Sequence, residues 1–157
     1  MTREEKFMKE AIKLAREGME KNEGGPFGCI IVKGDTIIGR GNNRVTSTND
    51  PTAHAEIIAI REACKNRGSF QLEGCEVYTS CEPCPMCLGA IYWARPSLVY
   101  FASTREDAAI TGFDDSLIYQ EIKAELKDRK IPLININRVE ANTIFKEWSD
   151  KQNRIDY

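Results

Sequence analysis

Apolar and polar side chains alternate along this chain in two rhythms, one typical of helices and one typical of strands. Over residues 1–20 the apolar side chains recur every three or four positions, which predicts an amphipathic helix. Thr2 and Glu5 stand before them in the spacing of a capping box, which favours a helix start there. The apolar positions are Phe7, Met8, Ala11, Ile12, Ala15 and Met19.

A glycine-rich stretch at residues 24–28 ends this helix, and the pattern then changes to that of strands. Two β-rich runs, residues 29–33 and 36–39, flank Gly34-Asp35 as the two arms of a hairpin would. Asp50-Pro51 is a favourable helix start, because Asp caps free backbone N–H groups and Pro suits the first helical position. The helix that we predict from there carries His54 and Glu56 and ends at Gly68.

The second half continues the alternation of strands and helices. The predicted elements are a strand at 76–80, a helix from about Cys84 to Ala94, a strand at 98–102, a helix at 114–127, a strand at 133–139 and a helix at 143–152. Strands that alternate with helices after a leading hairpin predict an α/β fold, a three-layer α/β/α sandwich with a mixed central sheet. A chain of 157 residues predicts a single domain over residues 1–157.

Composition and charge narrow the class of protein. Hydrophobic residues make up 41% and charged residues 29%, as in soluble globular proteins, and no apolar run is long enough to cross a bilayer. The N-terminus has no secretory pattern, so we expect a cytoplasmic protein without a membrane partner. A net charge of −2 argues against a nucleic-acid partner, since that affinity depends on clustered Lys and Arg.

The six cysteines also indicate a reducing compartment, because two of them stand in a tight Cys-x-x-Cys spacing that favours metal binding. Cys29, Cys64 and Cys75 lie in apolar or strand-like surroundings, where packing as free thiols explains them.

Two short segments carry the candidate chemistry, His54-Ala55-Glu56 and Pro83-Cys84-Pro85-Met86-Cys87. His54, Cys84 and Cys87 supply three ligands of the types that Zn²⁺ prefers, and catalytic zinc keeps its fourth position for water. Glu56 is left to move protons. Together these segments form the His-x-Glu and Pro-Cys-x-x-Cys signature of zinc-dependent deaminases. The hypothesis is attack by zinc-bound hydroxide on an amino-bearing ring carbon, with Glu56 as the proton shuttle.

An alternative is a structural zinc site in a non-enzymatic binding module, with Cys81 as the fourth ligand. Glu56 would then have no explanation, so we favour the catalytic site.

The longer segments around these residues carry a family resemblance. Residues 24–28, Asn42-Asn43, residues 49–56 and residues 79–91 are similar to the cytidine deaminase superfamily, over about residues 1–102. The resemblance implies the cytidine deaminase-like fold and hydrolytic deamination. Several branches share the Cys81–Cys87 motif, among them guanine, cytosine and tRNA adenosine deaminases, so it indicates the reaction better than the substrate.

The remaining segments resemble the short bacterial guanine deaminases: residues 92–96, 107–109 and 112–116, and the C-terminal Tyr157. This resemblance implies hydrolysis of guanine, a small purine base, to xanthine and ammonia. It also implies a homodimer in which the C-terminal segments are exchanged, with Tyr157 helping to close the pocket of a neighbouring subunit.

The resemblance assigns the substrate-binding residues too. It implies that Asn43 hydrogen-bonds the base edge, that Ala55 is also a substrate-binding residue, and that Asp115 reads the N–H groups of guanine. Phe27 and Trp93 are the candidate aromatic walls. Simpler explanations stand beside these: a turn for Asn43, a helix cap for Asp115, and core packing for the two aromatic residues.

The main competing function is tRNA adenosine deamination, with cytosine deamination less favoured. A tRNA enzyme should carry a basic tail for its substrate. Residues 145–157 here are mixed in charge, and guanine is therefore the favoured substrate.

Overall fold

The computed structural model describes residues 1–157, which divide into two compact units, Met1–Asp115 and Ser116–Tyr157. The prediction of a single domain stays a prediction. In the first unit the elements are α1 (Arg3–Glu20), β1 (Gly28–Lys33), β2 (Thr36–Asn42), α2 (Val45–Thr48), α3 (Ala55–Arg67), β3 (Cys75–Cys81), α4 (Pro85–Ala94), β4 (Leu98–Ser103) and α5 (Arg105–Ile110). The second unit contains α6 (Ser116–Lys123), a 3-10 turn (Leu126–Asp128) and α7 (Arg138–Asp150).

The sheet of the first unit has four strands in the order β2-β1-β3-β4. Strand β1 is antiparallel to both β2 and β3, whereas β3 and β4 are parallel. The prediction of a mixed sheet is therefore confirmed. The parallel pair follows from α4, since a helix that crosses from one strand to the next returns the chain in the same direction.

The two faces of this sheet carry two separate cores, because successive side chains of a strand point to opposite faces. Ile30, Val32 and Tyr78 pack with Ala11 of α1 on one face. Ile31 and Val77 pack on the other face with the small side chains of α3. Helices therefore cover both faces of the sheet, and the predicted α/β/α sandwich is confirmed for Met1–Asp115.

Two glycines let α3 lie unusually close to β2. A Cβ atom at Gly41 would lie 2.1 Å from the backbone oxygen of Ala55, and one at Gly39 would lie 2.4 Å from that of Ala59. The sequence pattern carried no signal that explained Gly41. The structure shows that this residue fixes the first turn of α3 against the sheet, and hence the segment that carries His54 and Glu56.

The predicted start of α3 at Asp50-Pro51 is wrong. Asp50 Oδ1 accepts hydrogen bonds from Thr52 N at 2.8 Å and Thr52 Oγ1 at 2.7 Å, so Asp50 caps a turn instead of a helix. The helix begins at Ala55, with His54 as its N-cap, and ends at Gly68 as predicted. The capping box of Thr2 and Glu5 is also confirmed.

The predicted strand at 133–139 is wrong as well, since no strand forms there and α7 already begins at Arg138. Its β-branched side chains have the period of a strand, but a strand also needs a hydrogen-bonding neighbour. The short helices α2 and α5 had no predicted counterpart. No residue of Ser116–Tyr157 is buried. None of the helices in the chain is both long and apolar enough to cross a membrane.

Candidate metal centre and active site

The candidate ligands stand at the starts of two helices. His54 is the N-cap of α3, Cys84 is the N-cap of α4, and Cys87 lies in the first turn of α4, which Pro85 opens. The first backbone N–H groups of a helix have no partner within it, and the helix dipole makes this end positive. The positive ends of α3 and α4 therefore both stabilise the thiolate forms of Cys84 and Cys87.

The distances between the donor atoms fit a zinc ion. His54 Nδ1 lies 3.5 Å from Cys84 Sγ and 3.6 Å from Cys87 Sγ, and the three donor atoms all lie within 4.8 Å of one another. Usual zinc–sulfur and zinc–nitrogen bond lengths place two ligands of a tetrahedral ion about 3.6 Å apart. The three residues are thus positioned to bind Zn²⁺, as the sequence predicted.

The protonation of these donors also suits a cation. The Cys87 thiol and His54 both hydrogen-bond to Cys84 and lower the pKa of Cys84 to about 4. The same bond to Cys84, together with burial, raises the pKa of Cys87. The hydrogen bond with Cys84 raises the pKa of His54. Cys84 is therefore favoured as a thiolate at neutral pH, and a bound metal ion would take the place of the Cys87 proton.

Cys81 lies outside this donor group. Its sulfur is directed to the backbone oxygen of Thr104, 3.6 Å away, and burial raises the pKa of Cys81 to about 11. A neutral thiol with another partner does not close the tripod of His54, Cys84 and Cys87. This geometry speaks against the alternative of a structural site with Cys81 as fourth ligand. All six cysteines are free.

Glu56 lies beside the donors without belonging to the donor group. Only 6% of its surface is exposed, and its Oε2 accepts from Cys87 Sγ at 3.3 Å. Its Oε1 accepts from Thr79 Oγ1 at 3.1 Å. Burial raises the pKa of the Glu56 carboxyl, and such a group is suited to taking up and returning protons.

Comparison with known proteins agrees with this site. A family model described as the cytidine and deoxycytidylate deaminase zinc-binding region matches residues 1–103. The chain belongs to this deaminase family. The matched range contains all three donor residues and Glu56.

The relatives of this deaminase differ in the share of the chain that they match. Guanine deaminase from Bacillus subtilis is 53% identical over 98% of both chains, and its X-ray structure matches with a TM-score of 0.95 over 98% of each. The tRNA-specific adenosine deaminase of Bacillus subtilis is 40% identical over 77% of this chain and 74% of its own. A crystal structure of a mutant protein in complex with 8-azaguanine is 34% identical and covers 71% of this chain and 65% of its own, with a TM-score of 0.68.

The other predicted site residues of the deaminase lie in different settings. Asn43 is buried, and its Oδ1 accepts from the backbone N–H groups of Gly25 at 3.3 Å and Val45 at 3.1 Å. The turn that was the simpler explanation for Asn43 is therefore present, and it fixes the plane of the amide. Ala55 is fully buried at the first position of α3, next to His54.

Phe27 and Asp115 lie in the same unit as the donors. The ring of Phe27 meets that of Phe113 edge to face, with 4.9 Å between the ring centres. Asp115 is partly buried; burial raises the pKa of its carboxyl, and the nearby charge of Cys84 adds to the shift. Trp93 lies on α4, and 65% of its surface is exposed. Tyr157 is the last residue of the second unit.

Thr79 is the neighbour of Glu56 that sequence reasoning missed. It stood inside a recognised motif, but no role was given to it. The alternation of side chains along a strand could have indicated this contact. Val77 and Thr79 are two residues apart, so their side chains point to the same face of the sheet. Val77 packs in the core on the α3 side, so Thr79 faces α3 and Glu56 as well.

Proposed function

We propose that this deaminase hydrolyses guanine to xanthine and ammonia with one bound zinc ion. The observation that carries the proposal is the similarity to Bacillus subtilis guanine deaminase, which extends over 98% of both chains at 53% identity. The similarity to the tRNA-specific adenosine deaminase of the same organism stops at 77% of this chain. Guanine deaminase therefore also matches most of the chain that the tRNA-specific enzyme leaves unmatched.

The tripod of His54, Cys84 and Cys87 would hold the zinc ion. When bound, zinc supplies a Lewis acid that lowers the pKa of water toward neutrality. Glu56 then accepts a proton from the attacking water, whose oxygen adds to the ring carbon that bears the amino group. Glu56 passes this proton to a ring nitrogen, then takes the proton of the added hydroxyl group and passes it to the amino group. The carbon–nitrogen bond breaks, a carbonyl group forms, and ammonia leaves.

Asn43, Ala55 and Asp115 are the residues that we propose to bind the base. The fixed amide plane of Asn43 supports this role, because an amide offers both a donor and an acceptor to a purine edge. For Asp115 the support is its partial burial and the influence of Cys84 on it. A carboxylate there complements the amino and ring N–H donors of guanine. Phe27 and Trp93 are the proposed aromatic walls.

We further propose a cytoplasmic homodimer that exchanges its C-terminal segments, without a nucleic-acid partner, in which Tyr157 of the partner subunit closes the pocket. The support is a set of large apolar side chains in the second unit that are more than a third exposed, a frequent mark of an interaction surface. They include Ile131, Ile134, Ile136, Val139, Ile144, Phe145, Ile155 and Tyr157.

One assay tests the reaction and its substrate together. The purified zinc protein is given guanine, adenine, cytosine and cytidine, and a tRNA anticodon stem-loop, and ammonia release is followed for each. We expect turnover with guanine and formation of xanthine. Inosine in the tRNA without xanthine from guanine would replace the proposal by tRNA adenosine deamination. The Asp115→Asn variant should lose guanine turnover while it keeps its zinc.

A further inference from the structure

A buried hydroxyl lies on the sheet side of the Glu56 carboxylate. Thr79 is only 1% exposed, and its Oγ1 is 3.1 Å from Glu56 Oε1. The residue stands in β3, in the interior of the sheet, where its backbone pairs with Cys29 of β1 and Phe101 of β4. A β-branched side chain on such a strand has little rotational freedom, so the hydroxyl is a fixed point.

The two oxygens of Glu56 have different side-chain partners. Oε1 accepts from Thr79, and Oε2 lies 3.3 Å from the sulfur of Cys87, one of the zinc donors. A cysteine that coordinates zinc does so as a thiolate and has no hydrogen to donate. Of the two side-chain donors to Glu56, Thr79 is then the one that remains.

We propose that Thr79 is a positioning residue, whose hydroxyl holds Oε1 of Glu56 so that Oε2 faces the zinc donors. The inference rests on the proposed function, because it gives Glu56 the proton transfers of that reaction. A glutamate side chain has three rotatable bonds, and a carboxylate that is displaced by about 1 Å from its productive place is expected to cost on the order of 100-fold in rate.

A purely structural explanation for Thr79 also exists. Its hydroxyl lies 3.1 Å from the backbone oxygen of Cys81, an acceptor that would satisfy it without Glu56. The two explanations predict different effects when the Thr79 hydroxyl is removed. A structural hydroxyl contributes to folding stability whatever Glu56 does, whereas a positioning hydroxyl changes the rate constant of the reaction at unchanged fold and metal content.

The test compares Thr79→Val, which replaces the hydroxyl by a methyl group, with Thr79→Ser, which keeps it. Ser80→Ala is the matched control, because Ser80 is also a buried hydroxyl of β3 and accepts from Gly28 N at 3.0 Å. Its position in the strand places it on the face opposite to Thr79. Zinc content, thermal unfolding, and kcat and KM for guanine are measured for all three.

We expect kcat of Thr79→Val to fall about 10- to 100-fold, with zinc content unchanged and KM within about threefold of the parent. Thr79→Ser should restore kcat to within about threefold, and Ser80→Ala should keep it there. Equal kcat in Thr79→Val and the parent overturns the proposal, as does an equal loss in Thr79→Ser or Ser80→Ala. If Thr79→Val does not fold, Thr79→Ala takes its place with the same expectation.

A crystal structure of Thr79→Val gives a readout that does not depend on turnover. The Glu56 carboxylate should rotate away from its place in the parent protein or become disordered, and it should return in Thr79→Ser. An unmoved carboxylate overturns the proposal. If the parent protein does not convert guanine, the proposed function fails, and the position of Glu56 in these crystals still decides the inference.

Discussion

The two units of this chain differ in what they contain and in what they share with relatives. Met1–Asp115 holds every buried side chain, the three zinc donors and Glu56, and the deaminase family model matches residues 1–103 of it. Ser116–Tyr157 holds no buried side chain. The tRNA-specific deaminase matches 77% of the chain, whereas guanine deaminase matches 98%. The zinc donors, Glu56 and the proposed base-binding residues Asn43 and Asp115 thus all lie in the first unit, and the second unit adds only the proposed contact of Tyr157.

The physical reason lies in how much precision each task needs. A zinc tripod requires donor atoms about 3.6 Å apart, which only a packed and rigid frame maintains. Here that frame is two helix starts against a sheet, with Gly41 admitting α3 to close contact. A single contact such as the one proposed for Tyr157 needs less precision, so a segment without buried side chains can carry it.

The largest effect should come from the zinc donors. Cys84→Ser and His54→Ala remove a ligand, so both should lose zinc and all turnover with any base. Cys81→Ser is the control, because Cys81 lies outside the donor group, and it should keep its full zinc content by metal analysis. Loss of zinc from Cys81→Ser would show that the site is closed by a fourth cysteine.

Glu56→Gln should separate metal binding from chemistry. The amide cannot accept and return the protons of the reaction, so kcat should fall by about 10²- to 10⁴-fold. Zinc content should not change, since Glu56 is not one of the donors. A variant that loses metal and activity together would mean that Glu56 supports the tripod instead.

Zinc affinity should depend on pH in a way set by the first unit alone. The pKa of Cys87 is raised, so this residue must release a proton when zinc binds, and His54, whose pKa is also raised, must release one wherever it is still protonated. Cys84, with a pKa of about 4, releases none between pH 6 and pH 8. Titration of the metal-free chain with zinc should therefore give at least about 100-fold tighter binding at pH 8 than at pH 6.

Equal zinc affinity at the two pH values would contradict this assignment of the protons. A chain that lacks residues 154–157 should show the same pH dependence as the full chain. If the deletion changed the pH dependence of zinc affinity, zinc binding would depend on the second unit as well as on the first.

Removal of residues 154–157 should affect substrate turnover and leave the metal in place. We expect kcat/KM for guanine to fall about 10- to 100-fold, on the scale of a lost positioning contact, with zinc unchanged. Gln152→Ala, a change just before the deleted residues, is the control and should keep kcat/KM for guanine. Unchanged guanine kinetics after the deletion would remove Tyr157 from the site.

Mixed subunits test whether the tails are exchanged. The full-length Glu56→Gln chain and the truncated chain, each inactive or weak alone, are unfolded, mixed and refolded together. Exchange would give a hybrid dimer in which an intact tail reaches an intact Glu56, so activity should rise above the sum of the two parents. No gain on mixing would show that each tail serves its own subunit.

The smallest effect should come from the packing of α3. A methyl group at Gly41 would meet the backbone of Ala55, so Gly41→Ala should lower the free energy of unfolding by about 1–3 kcal/mol. Gly89 in α4 has open space around its Cβ position, and Gly89→Ala should raise the free energy of unfolding by up to about 1 kcal/mol. Urea unfolding of the two variants measures both. Equal stabilities would show that the close contact at Gly41 is not needed.

Much of the first unit was open to prediction from local patterns. The capping box at Thr2 and Glu5, the hairpin turn at Gly34-Asp35 and the helix end at Gly68 depend on neighbouring residues alone, and all three form. The start of α3 did not follow the local rule, because Asp50 found a partner in Thr52. The strand expected at 133–139 failed for a related reason, since strand pairing is decided by distant residues.

The sequence by itself indicated the reaction, because two short motifs contain three residues that can bind zinc and one further carboxylate. The residue types alone decide which side chains can bind zinc and which can carry protons. The tertiary structure alone decided the strand order, the exclusion of Cys81 from the donor group, and the contact between Thr79 and Glu56. Residues 56 and 79 are far apart in the chain, and no local pattern states which side chains a fold will bring within 3.1 Å. Distances of that kind exist only once the helices are packed on the sheet.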